Sequence, residues 1–304
     1  MLRELQKGDD TQLAAIAAVI DHARPDVLLL TDFDFDHDGL ALSAFNRSLS
    51  SPYAHALAYP TNAGEPTGLD MDQNNRLGEP RDAQGFGRFA GDGGMAILSH
   101  LPLGAGTDLT DLLWKDLPEA TLPQTGDGPF LPETVVAVQR LSSTGHWIVP
   151  ILPPDGETFH LLAWSATPPV FDGPEDRNGL RNRDELRLWE HVIDGKMGPI
   201  PTWFVVAGNA NLDPQKGQGD RAAMAAFLTD PRLHDPLPDQ DTALWPVENG
   251  PGPLRVSYVL PSSDWSVAQA DVFWPNPNDP AVELLGDDGM LAGRHYLVWV
   301  DVTR

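Results

Sequence analysis

The stretch Trp203-Phe204-Val205-Val206-Ala207-Gly208-Asn209-Ala210-Asn211-Leu212-Asp213-Pro214 decides how the rest of this 304-residue chain reads. Residues 203–207 are apolar without a break, the mark of a strand buried on both faces. Gly208 closes that run, and the polar segment Asn209-Ala210-Asn211-Leu212-Asp213 follows it. Working outward toward the amino terminus, residues 95–99, 134–139, 147–152 and 159–165 read as strands. Residues 182–193 read as a helix with Leu186, Trp189 and Ile193 turned inward. Toward the carboxyl terminus, 220–228 reads as a helix, and 256–260, 265–268 and 296–302 as strands.

The first hundred residues follow the same grammar. Leu13, Ile16, Ala17 and Ile20 fall on one face of a helix over 11–22, which Asp10 or Thr11 can cap and Pro25 ends. Residues 27–30 form a short apolar strand, and 40–49 a second helix. Residues 60–94 show almost no periodicity and form a long insertion loop, of a length that in a compact domain is functional or tied down. Strands outnumber helices, and some follow one another directly. That mixture predicts two packed sheets with helices outside: an α+β fold, a four-layered α/β/β/α sandwich. No shift in composition divides the chain, so residues 1–304 read as a single domain.

Lys and Arg number 20 and Asp and Glu 44, a net charge of −24. Nucleic-acid binding through a basic surface is argued against, because phosphate contacts need cations. The chain has no cysteine, which excludes disulfides, thiolate metal sites and a cysteine nucleophile. No window approaches the ~18 apolar residues of a membrane span. There is no G-x-S-x-G, no P-loop, and no G-x-G-x-x-G opening a helix.

Two acidic clusters stand out. Asp32, Asp34, Asp36 and Asp38 alternate ahead of Gly39, and alternation puts the first three on one side of an extended segment. They follow a buried strand, and ligand sites favour such strand ends. The spacing imitates the first half of a calcium loop, but the twelfth position is Phe45 rather than Glu, so an EF-hand is not expected. Asp70-Met71-Asp72-Gln73-Asn74-Asn75 is a second oxygen-ligand spacing, with Asn75 where a left-handed backbone is wanted and Asp82 close enough to add a carboxylate. Asp70, Asp72, Asn74 and Asp82 are therefore candidate Ca²⁺ ligands. Their alternative is a plain polar loop.

The segments RPDVLLLTDFDFD, GFGRFAGDGGMAILSHLPL, HLLAWSATPPVFDGPEDRNGLRNRDELRLW, WFVVAGNANLDP, LRVSYVLPS and HYLVWVDV, taken in order, resemble the endonuclease/exonuclease/phosphatase superfamily of metal-dependent phosphoester hydrolases, and in particular a bacterial branch with a Gly/Asp-rich insertion. The resemblance implies a DNase-I-like sandwich, a Mg²⁺ or Mn²⁺ cofactor, and a site at the sheet rims. Residue by residue, the principal metal ligand, a Glu in the family, falls on Asp32. A His that stabilises the transition state falls on Ser165. Gly-Asp-x-Asn falls on Gly208-Asn209-Ala210-Asn211, so the general base has become Asn209 while Asn211, a metal and substrate ligand, is kept. The acidic residue before Tyr258 becomes Ser257. The closing Ser-Asp-His becomes Gly293-Arg294-His295, which keeps His295. His146 is carried with Asn211 as a substrate contact. The family's first strand, with its Asn, has no counterpart: the chain starts at the segment just before the first helix. A misplaced start, a fragment or a lost strand would each account for that; with the true start further upstream, a signal peptide and an extracellular or periplasmic location would be open.

An amide at 209 cannot accept a proton at neutral pH, and Arg294 opposes a cation nearby. Three readings stand side by side. The first is a catalytically impaired member, now a binding or regulatory pseudoenzyme for a small phosphoester or a protein partner. The second is an active Mg²⁺-dependent phosphodiesterase or phosphatase with a rearranged site using Asp32, Asn211, Asp213 and His295. The third is a calcium-stabilised interaction module.

Overall fold

The structure, a computed structural model, describes every residue except Asp155 and Asn249. Among the described residues six α-helices are present: α1 Leu2–Lys7, α2 Thr11–Ala23, α3 Leu40–Ser48, α4 Glu133–Val136, α5 Arg177–Ile193 and α6 Arg221–Leu228. The strands are β1 Val27–Phe33, β2 His55–Leu57, β3 Gly94–Ser99, β4 Thr107–Asp108, β5 Gln124–Thr125, β6 Gly128–Pro129 and β7 Gly145–Ile151. They continue with β8 Phe159–Ser165, β9 Phe204–Asn209, β10 Ala243–Leu244, β11 Pro253–Leu254, β12 Ser257–Pro261, β13 Ser266–Val272 and β14 Val298–Thr303.

The apolar run at 203–207 sits mid-sheet in β9, in a five-stranded sheet of order β12-β9-β8-β7-β4. β9 is parallel to β8 and antiparallel to β12, so the sheet is mixed. The other layer contains β1-β3-β2 and the separate ribbon β13-β14. Between the two layers Met95 and Ile97 of β3 pack on Trp147, Val149, Leu161 and Ala207. Outside, α2 and α3 bury Ile20, Leu42 and Phe45 against Leu28 and Leu98. On the far side α5 and α6 bury Leu186, Trp189 and Phe227 against Leu162, Trp164 and Val206. The result is helix, sheet, sheet, helix: the DNase-I-like α+β sandwich.

Local chemistry explains the elements. Asp10 caps α2 by accepting from the Leu13 amide at 2.9 Å, which supplies one of the helix's orphan donors with a partner. Gly208 is required where β9 meets β8, because a Cβ there would lie 1.9 Å from the Trp164 carbonyl oxygen.

The structure corrects the sequence reading at residues 134–139. Residues 134–136 belong to α4 and 137–139 follow it as a turn, with the Val135 and Val136 amides donating to the Pro132 carbonyl. α1, which was not anticipated, ends at Gly8 in the left-handed region, φ 70°. Among the described residues no helix is long and apolar enough to cross a membrane.

Candidate functional site

β8 and β9 end where β12 begins, and their register sets the heart of the cleft. Ser165 is the in-register partner of Asn209 across the parallel pair, and Asn209 of Ser257 across the antiparallel one. Ser257 Oγ lies 3.1 Å from His295 Nδ1. The Asn209 side-chain oxygen accepts from the Asn211 amide at 3.1 Å, and Asn211 Nδ2 donates to the Ala166 carbonyl at 2.7 Å. Asn211 itself has φ 51°, a left-handed conformation that Asn tolerates better than most residues. Burial holds the His295 pKa down at about 4, so at neutral pH the imidazole is neutral and weakly basic. Its ring stands edge-on to Trp245 at 5.4 Å.

Asp32 faces the same cavity from the end of β1. Its φ is 58°, at the irregularity where β1 slips register against β3. Partial desolvation in the cleft, and then the charges of Asp92 and Asp34, push its pKa up. Asp34 is engaged by the Met1 ammonium at 3.2 Å and the Gly93 amide at 3.3 Å. Asp36 accepts from the Leu40 and Ala41 amides at 2.7 and 2.8 Å and so serves the start of α3. Asp32, Ser165, Asn209, Asn211, Ser257 and His295 line one cavity of about 2340 Å³, with the exposed Arg294 beside them.

Two residues carried into the site from the sequence lie elsewhere. His146 is fully buried, with its ring 5.5 Å from Trp164 and 5.1 Å from Trp189. Its Nε2 lies 3.1 Å from the Glu185 carbonyl and its Nδ1 2.7 Å from Ser142 Oγ. It is a core histidine whose pKa burial lowers to about 3, and it cannot touch a substrate. Asp213 is also buried. It spends its carboxylate on the amides of Gln215, Lys216 and Arg255.

An acidic triad is present in the insertion. Ligand atoms of Asp70, Asp72 and Asp82 lie within 4.8 Å of one another, the single such acidic or histidine grouping among the described residues. Asn75 has φ 65°, the left-handed backbone its position asks for. Asp72 Oδ1 is buried without a hydrogen-bond partner, which leaves an oxygen that a cation would satisfy. Asn74 does not join the triad. Its amide bonds Asp72 at 3.2 Å and Glu79 at 2.7 Å, and so ties the loop.

Sequence reading missed the network behind the cleft. Glu185 of α5 is fully buried and accepts from the Ser143 amide at 2.6 Å, Ser143 Oγ at 2.8 Å and the Thr167 amide at 2.8 Å. It thereby fixes the turn that follows Ser165. Desolvation raises its pKa to about 7 against the pull of nearby Arg181.

The profile of the endonuclease/exonuclease/phosphatase family matches residues 5–287. The chain belongs to that family. Its fold is similar to solved family proteins from two bacteria. For the one from Beutenbergia cavernae DSM 12333 the TM-score is 0.58 at 17% identity, covering 96% of this chain and 65% of that one. For the one from Leptotrichia buccalis C-1013-b it is 0.53 at 12%, covering 96% and 93%. A humanised D. rerio TDP2 with 14 mutations is similar at TM-score 0.54 and 11% identity, over 99% and 93%. This family member thus spans about two thirds of the Beutenbergia chain's length, and at these identities the likeness speaks for the fold alone. No curated protein matches the sequence.

Proposed function

We propose that this family member is a catalytically impaired phosphoester-binding protein. The observation that carries the reading is the row Ser165–Asn209–Ser257 at the strand ends, where no side chain carries a carboxylate or an imidazole. The row's one imidazole neighbour, His295, is a weak base. The cleft also fits a resident divalent cation poorly. Asp32 gives one carboxylate and Asn211 one amide oxygen, the Asp92 carboxylate already accepts from the Arg88 amide and that of Asp34 from the Gly93 amide, and the exposed Arg294 adds positive charge. When bound, a Mg²⁺ or Mn²⁺ ion would screen phosphate charge and acidify a water, but too few donors gather here to hold one firmly. What the chain's own residues offer a phosphoester is hydrogen bonding from the Ser165 and Ser257 hydroxyls and attraction from Arg294. The reading is tested by titrating the protein with a small phosphomonoester and with a phosphodiester, following both binding and phosphate release. Binding without release supports it.

The second reading is an active Mg²⁺-dependent phosphodiesterase or phosphatase with a rearranged site. It draws on Asp32, Asn211 and His295 lining one open cavity. Hydrolysis that His295→Ala abolishes would favour it. The acidic triad is a separate matter: Asp70, Asp72 and Asp82 fit a hard cation such as Ca²⁺, which would order the insertion.

A further inference from the structure

Two phenylalanines stand in water at the edge of the cleft. Phe171 is 78% exposed and Phe86 67%, and both line the cavity that holds Ser165. A single exposed apolar side chain is ordinary on a protein surface. Phe171 is not ordinary, because its φ is 71°, a left-handed backbone that a bulky residue adopts only under strain. The fold holds it there. Asp172 accepts from the Asn178 amide at 2.5 Å, and Asn178 Nδ2 donates to the Val170 carbonyl at 2.7 Å. Asn182 Nδ2 donates to the Thr167 carbonyl at 2.7 Å. These bonds pin residues 167–178 across the start of α5 and leave the ring outside. Strain that no packing repays marks a residue kept for use rather than for stability.

Phe86 reaches the same place from the insertion. Gly85 before it lies so close to Ser143 that a Cβ would stand 1.8 Å from the Ser143 carbonyl oxygen. Ser143 Oγ in turn lies 3.5 Å from the Ser165 carbonyl oxygen. One carboxylate, that of Glu185, holds both approaches, through the Ser143 amide on one oxygen and the Thr167 amide on the other. Both rings therefore belong to the Ser165 end of the polar row.

We propose that Phe171 and Phe86 form an aromatic-ester subsite: the phosphoester taken by this cleft carries a flat aromatic group, which lies against the two rings while its phosphate meets the Ser165 hydroxyl. The proposal rests on the phosphoester-binding reading and names the ligand class for it. Phenyl side chains offer a flat apolar face and no hydrogen bond, so they reward an aromatic group and give a methyl ester nothing to cover. Asp172, Glu175 and Asp176 follow Phe171 closely. Their charges repel an anionic lipid surface, so a small ester suits the rings better than a membrane does.

Isothermal titration of the full chain with phenyl phosphate and with methyl phosphate tests it. Phenyl phosphate should bind at least about 10-fold more tightly. Phe171→Asn and Phe86→Ala should each bring the ratio of the two affinities toward one, and Phe171→Tyr should keep it. Ile200→Ala, at an exposed apolar position outside the cavity, should not move it. Asn accepts a left-handed backbone, so Phe171→Asn should leave the melting temperature unchanged or raise it. A fall of several degrees makes Phe171 a structural residue and overturns its part in binding. Methyl phosphate bound as tightly as phenyl phosphate overturns the aromatic class and leaves the phosphoester reading standing. A ratio that the phenylalanine substitutions leave unchanged does the same. Binding of neither ester overturns both. Co-sedimentation with neutral phosphatidylcholine vesicles that Phe171→Asn abolishes gives the rings to a lipid surface and overturns the subsite.

Discussion

Asn209 stands where the polar row at the strand ends is read most directly. Its side-chain oxygen is occupied by the Asn211 amide, so it organises the turn and takes no proton. Asn209→Asp alone is expected to leave phosphodiester hydrolysis at background, because Ser165 still lacks an imidazole and Arg294 still opposes a cation. Ser165→His, Asn209→Asp and Arg294→Asp together should exceed wild type by about 10²-fold or more, the usual worth of acid–base catalysis; a steady-state assay reads the difference. His295 sets a pH dependence of stability. Its folded pKa of about 4 lies below the ordinary histidine value of 6.5, so the unfolded chain binds the proton more readily. The stability it contributes is full above about 6.5 and falls as pH drops toward 4. His295→Gln should flatten urea-unfolding stability between pH 6.5 and 4 while leaving pH 8 nearly unchanged. The left-handed Asn75 was legible in the sequence because the loop spacing demands that backbone. His146 was not, because nothing local shows a ring enclosed by Trp164 and Trp189 from other elements.

Elements with long periodic or continuous apolar patterns, α2, β8 and β9, were legible in sequence, since burial on one or both faces writes itself into spacing. The failures have a physical cause. Residues 134–139 carry three valines and so suggest a strand, but Pro132 and Glu133 start a short helix that buries Val135 in the helical layer. α5 begins at Arg177 rather than 182, because its inner face carries Arg181, Asn182, Asp184 and Glu185, all buried. A polar inner face hides from a hydrophobic pattern. Arg181 donates to the carbonyls of Leu141, Gln84, Arg140 and Ser142, and Glu185 holds Ser143 and Thr167. Glu185→Ala would strand two amides and leave Arg181 without its nearby countercharge. It should cost about 3–5 kcal/mol in urea unfolding, the scale of a broken buried pair. In the insertion, excess Ca²⁺ should raise the melting temperature by several degrees through linkage, and Asp72→Ala should remove that shift. An unchanged transition in Ca²⁺ would leave the triad without an ion.

At the scale of the molecule, the −24 charge is carried by the triad, the run from Asp32 to Asp38 and the general surface, while the row Ser165–Asn209–Ser257 carries none of it. Self-repulsion should make the protein more stable in 0.3 M than in 0.02 M NaCl. Single-stranded and duplex DNA should show no anisotropy change at low salt, where a cationic groove would bind best. The sandwich was readable because its strand and helix order survives along the chain. The central claim is that the cleft binds phosphoesters without turning them over. The decisive measurement is steady-state hydrolysis of bis(4-nitrophenyl) phosphate by the wild-type chain with Mg²⁺ and with Mn²⁺. No release above the metal-buffer background is the expected result; metal-dependent turnover that His295→Ala abolishes would contradict it.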